Sequence, residues 1–385
     1  MTHARHAGLP PTPTGRPPHD HVRPGGTAAR ADLRHRPGRG TPRDEVAATD
    51  VPPRPFLKWA GGKRQLLPEL RLFYPRTFGR YFEPFVGSGA VFFDLAAHGL
   101  LSRRGARLSD VNVDVIGCYQ AVLADLPGVV RHLRRLAAGH ATAGGAHYYD
   151  VRDRHFNPMR RRLRGSGAHG TGSLVRYSPR LAAMLIYLNR TGFNGLFRLN
   201  SRGEYNVPAG RYANPRICDE PTLTAAANVM SRVAVEVCYE PFEHVLDHAR
   251  RGDFVYLDPP YAPLTATARF TSYTESGFTN DDQRRLQGVV VGLAERECQV
   301  LLSNSTASIV RELYECDHRA RRVGLRVWRV RARRAINARG SSRGAIDELL
   351  ITNVPRRHGP GRPAGLTIAS ALHGATRPSS LDHWV

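Results

Sequence analysis

Lysine is nearly missing from this sequence. Only Lys58 and Lys63 occur among 56 basic residues, and every other cation is Arg. Such usage points to a GC-rich genome. The two lysines that remain lie close together, which marks a place for a compact ammonium and not a planar guanidinium. Cysteine is scarce too. Cys118, Cys218, Cys238, Cys298 and Cys316 are scattered, with no Cys-x-x-Cys pair. That argues against a disulfide framework or a zinc site, and no metal is expected. No apolar run reaches the length of a membrane span. The N-terminus lacks an apolar signal core, so secretion is not expected. Acidic residues number 33, which leaves a net charge of +23. That balance implies a polyanionic partner, most simply nucleic acid.

Large apolar residues are also lacking in residues 1–53 and 355–385, which are rich in Pro, Gly, Arg and His. Neither stretch can bury a core, so both are expected to be disordered basic tails. The folded part runs from about 54 to 354. Strands and helices alternate through it, which implies a doubly wound α/β sheet. The stretch 140–250 interrupts the alternation. The expected organisation is therefore a sheet domain from 54–139 and 251–354, with an inserted domain at 140–250.

The stretch 253–261, Asp-Phe-Val-Tyr-Leu-Asp-Pro-Pro-Tyr, carries the most chemistry. Phe254 to Leu257 form a β-prone apolar run. Pro259 and Pro260 remove two backbone donors and fix two φ angles, so the strand must end in a stiff turn. In open α/β sheets ligands bind just past the carboxyl ends of strands. The turn presents a carboxylate (Asp258), unladdered carbonyls and an aromatic face (Tyr261). A nucleobase amine is a poor nucleophile because its lone pair is delocalised. A carboxylate and a carbonyl accepting its N–H bonds free that lone pair, while Tyr261 holds the base by stacking.

Two glycine turns lie upstream. Trp59-Ala60-Gly61-Gly62-Lys63 precedes an expected helix over 64–73 and resembles an anion site. It lacks the first glycine and the Ser/Thr of a Walker phosphate loop. Phe85-Val86-Gly87-Ser88-Gly89 leads from a strand into a helix over 90–97, and its glycines allow close backbone approach. The next strand ends at Asp110, about 20 positions on, where an acidic residue commonly bonds a ribose hydroxyl. Asp110 also suits the N-cap of the helix over 113–123.

The stretch 159–173 reads as a flexible Arg-rich loop. After an apolar helix at 181–188 come Asn189, Arg190, Phe193, Asn194, Leu196 and Arg198. Pro208 and Arg211 follow in a stretch, 203–212, that suits a hairpin. Arg and Asn read guanine and adenine edges, and aromatics wedge or stack. Thr279 suits the N-cap of a helix over 279–297, and strands are expected at 300–305, 324–331 and 347–352.

Five motifs occur in one order: Lys-Trp-Ala-Gly-Gly-Lys, Glu-Pro-Phe-x-Gly-x-Gly, Asn-Arg-Thr-Gly-Phe-Asn-Gly, Gly-Glu-Tyr-Asn-Val-Pro-x-Gly-Arg-Tyr and Asp-Pro-Pro-Tyr-Ala-Pro-Leu. Together they resemble the DNA adenine methylase family of S-adenosylmethionine-dependent enzymes, over residues 55–353. The resemblance implies a Rossmann-like methyltransferase sheet with an inserted, mainly helical target-recognition domain. It implies transfer of a methyl group from S-adenosyl-L-methionine to N6 of a flipped adenine in double-stranded DNA, within GATC. By matching motif, Trp59, Lys63, Phe85, Gly87, Gly89, Asp110 and Asp258 are the cofactor residues. Asp258, Pro259, Pro260 and Tyr261 are the catalytic turn. Lys58, Asn189, Arg190, Phe193, Asn194, Leu196, Arg198, Pro208 and Arg211 are the DNA-binding set. The expected state is a cytoplasmic monomer, nucleoid-associated through DNA, with no obligate protein partner. Thr191, Phe197 and Leu199 depart from the commonest recognition pattern, and the 160–173 loop looks like added length. The alternatives are cytosine-N4 transfer, an RNA or protein-glutamine methyltransferase, and a catalytically silent DNA binder.

Overall fold

The sheet is built outward from a four-residue strand, β4 (Phe254–Leu257), in which every residue is buried. The computed structural model describes residues 51–59, 61–101, 104–165, 174–262, 278–333, 345–357 and 367–368. These all belong to one compact unit, Ala47–Val385. The tails expected at 1–53 and 355–385 lie outside the described residues, save for 51–53, 355–357 and 367–368.

The other strands are β1 (Tyr81–Glu83), β2 (Ala106–Asp110), β3 (Val235–Tyr239), β5 (Gln299–Ser305), β6 (Arg326–Arg333), β7 (Ala345–Thr352) and the two-residue β8 (Thr367–Ile368). Their order is β3-β2-β1-β4-β5-β7-β6-β8. β1 to β5 are parallel neighbours, and β7 enters antiparallel between β5 and β6. The α-helices among the described residues are, in chain order, α1 (Leu67–Leu70), α2 (Ala90–Ala97), α3 (Val113–Ala124), α4 (Leu126–Asp150), α5 (Asn157–Gly165), α6 (Pro179–Thr191), α7 (Glu220–Arg232), α8 (Val245–His248), α9 (Asn280–Glu295), α10 (Ser308–Arg311) and α11 (His318–Arg322). The expected helix over 64–73 is instead α1 flanked by two short 3-10 turns, because Pro68 lacks the donor a longer helix needs there.

Alternation along β4 divides the core. Phe254 and Tyr256 join one apolar cluster, and Val255 and Leu257 join the other, on the opposite face of the sheet. The first cluster also takes in Leu133, Tyr148, Phe156, Leu185, Tyr205 and Leu223. The helices between β2 and β3 therefore share the core of the sheet. The expected insert boundary at 250 is corrected by β3, which pairs in register with β2 over Ala106–Asp110. The irregular segment thus closes before Val235.

That segment carries a buried ion pair. Arg160 is 3% exposed and Asp114 is 1% exposed. The guanidinium donates to Asp114 Oδ2 at 2.6 Å through Nη2 and to the Gly203 carbonyl at 2.7 Å through Nη1. Tyr177 donates to Asp114 Oδ1 at 3.0 Å. The Arg-rich loop expected at 159–173 is thus partly corrected. It begins as α5, and Arg160 points inward to tie α3 to the loop at Gly203. Residues 166–173 lie outside the described residues. The hairpin expected over 203–212 is reduced to two isolated bridges, Gly192 to Ala209 and Leu199 to Tyr205. Asn157 replaces the missing ladder: its amide exchanges two hydrogen bonds with the Tyr205 backbone, at 2.9 and 3.0 Å.

Removing one partner of a buried ion pair leaves an uncompensated charge. Arg160→Met is expected to destabilise the protein by about 3–5 kcal/mol in denaturant unfolding, and adding Asp114→Leu should recover part of that loss.

Candidate active site

The strand order reverses between β1 and β4, with β2 and β3 on one side and β5 on the other. A crevice at such a reversal is the expected ligand site. Two turns border it: Pro84–Gly89 after β1, and Asp258–Tyr261 after β4. Gly87 (φ +45°) and Gly89 (φ +65°) both lie in the left-handed region. A Cβ on Gly87 would stand 2.8 Å from Trp59 Cδ1, so only glycine lets the indole lie against this turn.

Lys63 joins the N-terminal glycine segment to the acidic turn. It is 6% exposed. Its Nζ lies 2.7 Å from Asp258 Oδ1, 3.0 Å from the Gly61 carbonyl oxygen, and 4.6 Å from the centre of the Tyr261 ring. The ammonium thus sits over an aromatic face with a carboxylate as acceptor. Asp258 retains 21% of its side-chain surface open to solvent. Burial nevertheless pushes its carboxyl up to about 6, against the lowering pull of Lys63. Tyr261 donates its hydroxyl to Glu348 Oε2 at 2.6 Å. The turn is braced from behind. Buried Asn304 donates to Gln283 Oε1 at 2.9 Å, Gln283 donates to the Pro260 carbonyl at 3.4 Å, and Ser305 donates to the Ala262 carbonyl at 2.9 Å.

Asp110 stands at the end of β2. It accepts the Gly87 N–H at 3.1 Å and the Asn112 N–H at 2.9 Å, and burial pushes it up to about 6. It is not the N-cap of α3. Asn112 is, accepting from Asp114 N and Val115 N. Phe85 stacks on Phe242 at 5.2 Å and meets Phe278 edge-on at 6.0 Å.

The loop after α6 reaches the same crevice. Phe197 stacks on Trp59, ring centres 5.5 Å apart. Lys58 Nζ lies 4.5 Å over the Tyr212 ring. Phe193, Asn194, Arg198, Pro208 and Arg211 are exposed and Leu196 is half-buried. Phe193 donates its N–H to the Pro208 carbonyl at 2.9 Å, and Arg198 donates to Asn206 Oδ1 at 2.8 Å. Asn189 and Arg190 turn toward the N-terminal segment. Asn189 is 2% exposed; it accepts the Lys58 N–H at 2.7 Å and donates to the Lys58 and Gly195 carbonyls. Arg190 donates to the Phe56 carbonyl at 3.1 Å. Both are used by the backbone, because they lie on the last turn of α6 where it packs on the N-terminal segment.

Glu348, Gln283, Asn304 and Phe242 were not foreseen as site residues. No local pattern marks them. Asn304 at the polar end of a buried strand is the one signal that was available.

An α/β sheet with a glycine turn, an acidic strand end and Asp-Pro-Pro-Tyr at its reversal point defines an enzyme that pairs a nucleoside cofactor with an amino-bearing substrate. A family model for D12 class N6 adenine-specific DNA methyltransferases matches residues 59–328, and the chain belongs to that family. It is 37% identical over 300 residues to the type II methyltransferase M1.LlaDCHI of Lactococcus lactis subsp. cremoris, covering 78% of this chain and 95% of that one. It is 37% identical over 311 residues to the type II methyltransferase M.MjaIII of Methanocaldococcus jannaschii, covering 78% and 99%. It is 35% identical over 306 residues to the DNA adenine methylase of Escherichia coli K12, covering 78% and 96%. The fold is consistent with an S-adenosylmethionine-dependent methyltransferase. No single helix among the described residues is long and apolar enough to cross a membrane.

Asp258 is the stronger acceptor for an N–H bond when ionised. With its carboxyl at about 6, kcat/KM for DNA at saturating cofactor should be full above that pH and fall about tenfold per unit below it. Lys63→Met removes the cation that holds Asp258 down, so the residual activity should show its acid limb at higher pH. An unmoved limb would assign it to another group.

Proposed function

We propose that this chain transfers a methyl group from S-adenosylmethionine to the N6 amine of adenine in double-stranded DNA, within GATC, on a base turned out of the helix. The observation that carries the reading is the seat of the Lys63 ammonium. An N–H donor lies 2.7 Å from the Asp258 carboxylate and 4.6 Å over the Tyr261 ring. A flipped adenine amine needs those two partners: an acceptor for its N–H and an aromatic face for its ring. Lys63 must yield that seat when the base arrives.

The residues also fit the cofactor. Asp110 and Asp258 are acceptors at the tips of β2 and β4. Gly87 leaves the backbone of its turn bare beside Trp59, and Phe85 adds an aromatic face. Bound there, S-adenosylmethionine supplies an electrophilic methyl. The chain's own groups position the amine. Asp258 accepts one N–H bond and the Pro259 carbonyl the other, which favours tetrahedral nitrogen. Tyr261 holds the base plane. As the N–C bond forms, the methyl would part from the sulfonium sulfur, leaving a neutral thioether, and the cationic nitrogen would lose one proton through Asp258 to water. Orientation and charge placement supply the rate, with no covalent enzyme intermediate.

The DNA reading rests on the loop 192–212. Phe193 and Tyr212 are among the few exposed large apolar side chains of the described residues, and Tyr149 is a third. Tyr149 Oη accepts the Ala209 N–H at 3.4 Å, and Tyr212 donates to the Gly192 carbonyl at 3.3 Å. Three solvent-facing aromatics beside Arg198, Arg211 and Lys58 suit wedging into a duplex whose phosphates the cations meet. The DNA-binding set is thereby reduced to Lys58, Phe193, Asn194, Leu196, Arg198, Pro208 and Arg211.

Expression in a host that lacks adenine methylation, followed by base-resolved mapping, tests the reading. Methyladenine confined to GATC, and absent with Asp258→Ala, is the expected result. Methylation at another sequence retires the GATC assignment. Methylcytosine, or no methylation by folded protein that binds the cofactor, retires the adenine reading.

A further inference from the structure

We infer that Glu348, on β7, is a positioning residue for methyl transfer, because it holds the ring of Tyr261 in the plane that receives the target base. This rests on the role proposed for Tyr261.

Tyr261 lies in a turn, beyond two prolines and short of a segment outside the described residues. A ring there has two free torsions of its own. Its hydroxyl donates to Glu348 Oε2 at 2.6 Å. That is the length of a charge-assisted O–H···O⁻ bond, about twice as strong as a neutral one. Glu348 is not on a loop. It stands in register between Ser305 of β5 and Val330 of β6. Ser305 in turn grips the next residue of the turn, through the Ala262 carbonyl. Two adjacent residues, Tyr261 and Ala262, are thus held by two adjacent strands. Burial, and then the Glu348 charge, push the Tyr261 hydroxyl well above its ordinary range, so it remains a donor at working pH.

The acceptor of the amine is Asp258, which Lys63 pairs at 2.7 Å. Glu348 touches the ring only at its hydroxyl end, and its charge also raises the Asp258 carboxyl. Without it the base can still reach the pocket, but against a ring that swings.

The test uses the full-length protein, a duplex carrying the target adenine, and a second duplex with 2-aminopurine in its place. Glu348→Ala is expected to lower kcat about ten- to hundredfold, the range for a lost hydrogen bond to a charged group. Cofactor affinity should stay near wild type, and melting temperature should fall by no more than the few degrees that one lost hydrogen bond costs. The fluorescence of the extruded 2-aminopurine, read with a non-reactive cofactor analogue, should change as the ring loosens. Glu348→Gln, which keeps a carbonyl acceptor, should restore most of the rate. Tyr261→Phe should match Glu348→Ala, and the double variant should be no slower than either. Should Glu348→Ala fail to fold, Glu348→Gln in the Tyr261→Phe background carries the same comparison. Wild-type kcat in Glu348→Ala overturns the inference, as do losses that multiply in the double variant. A wild-type protein that leaves adenine unmethylated sinks the proposed function instead, before any variant is compared.

Discussion

The Lys63–Asp258 ion pair is the contact on which the site depends. A lysine 6% exposed needs a counter-charge, since an unpaired buried ammonium costs several kcal/mol. Asp258 supplies it at 2.7 Å. The dependence runs both ways: burial raises the carboxyl, and Lys63 is the largest opposing influence. The N-terminal glycine turn and the turn after β4 are therefore held by each other's charge. The retention of lysine at position 63 acquires a physical reason at this point. A guanidinium is planar and too wide to sit between a carboxylate, the Gly61 carbonyl and the face of Tyr261 in the same way.

The same N-terminal segment serves the loop after α6. Five residues before Lys63, Lys58 is clamped through its backbone by Asn189 and lies over Tyr212. Trp59 stacks on Phe197. One short stretch thus touches both the turn at Gly87 and the loop after α6. Arg160 fixes the far end of that loop, joining Gly203 to Asp114 at the start of α3. Movement of the loop must be felt at Trp59, and through it at Gly87.

Much of this was legible in the sequence, and the reason differs by residue. β4 and its turn were legible because two prolines leave no other local structure. The capping box of α9, Thr279 with Asp282, was legible because caps are local chemistry. β3 was not, since an edge strand of mixed polarity looks like loop until its partner β2 is known. The inward contacts of Asn189 and Arg190 were not legible, because residue type alone does not say which face of α6 they occupy. Glu348 was invisible for a related reason. Its partner lies two strands away, and no spacing in the chain records that distance.

The scarcity of lysine allows a direct measurement. With lysine 15N-labelled at Nζ, the full-length protein gives only two ammonium signals, Lys58 and Lys63. Lys63 should exchange its protons slowly and lose that protection in Asp258→Asn. Addition of cofactor analogue and target duplex should shift its signal as the amine takes the seat. A Lys63 signal that exchanges as fast as a free lysine, or one indifferent to both Asp258→Asn and the duplex, would contradict the account.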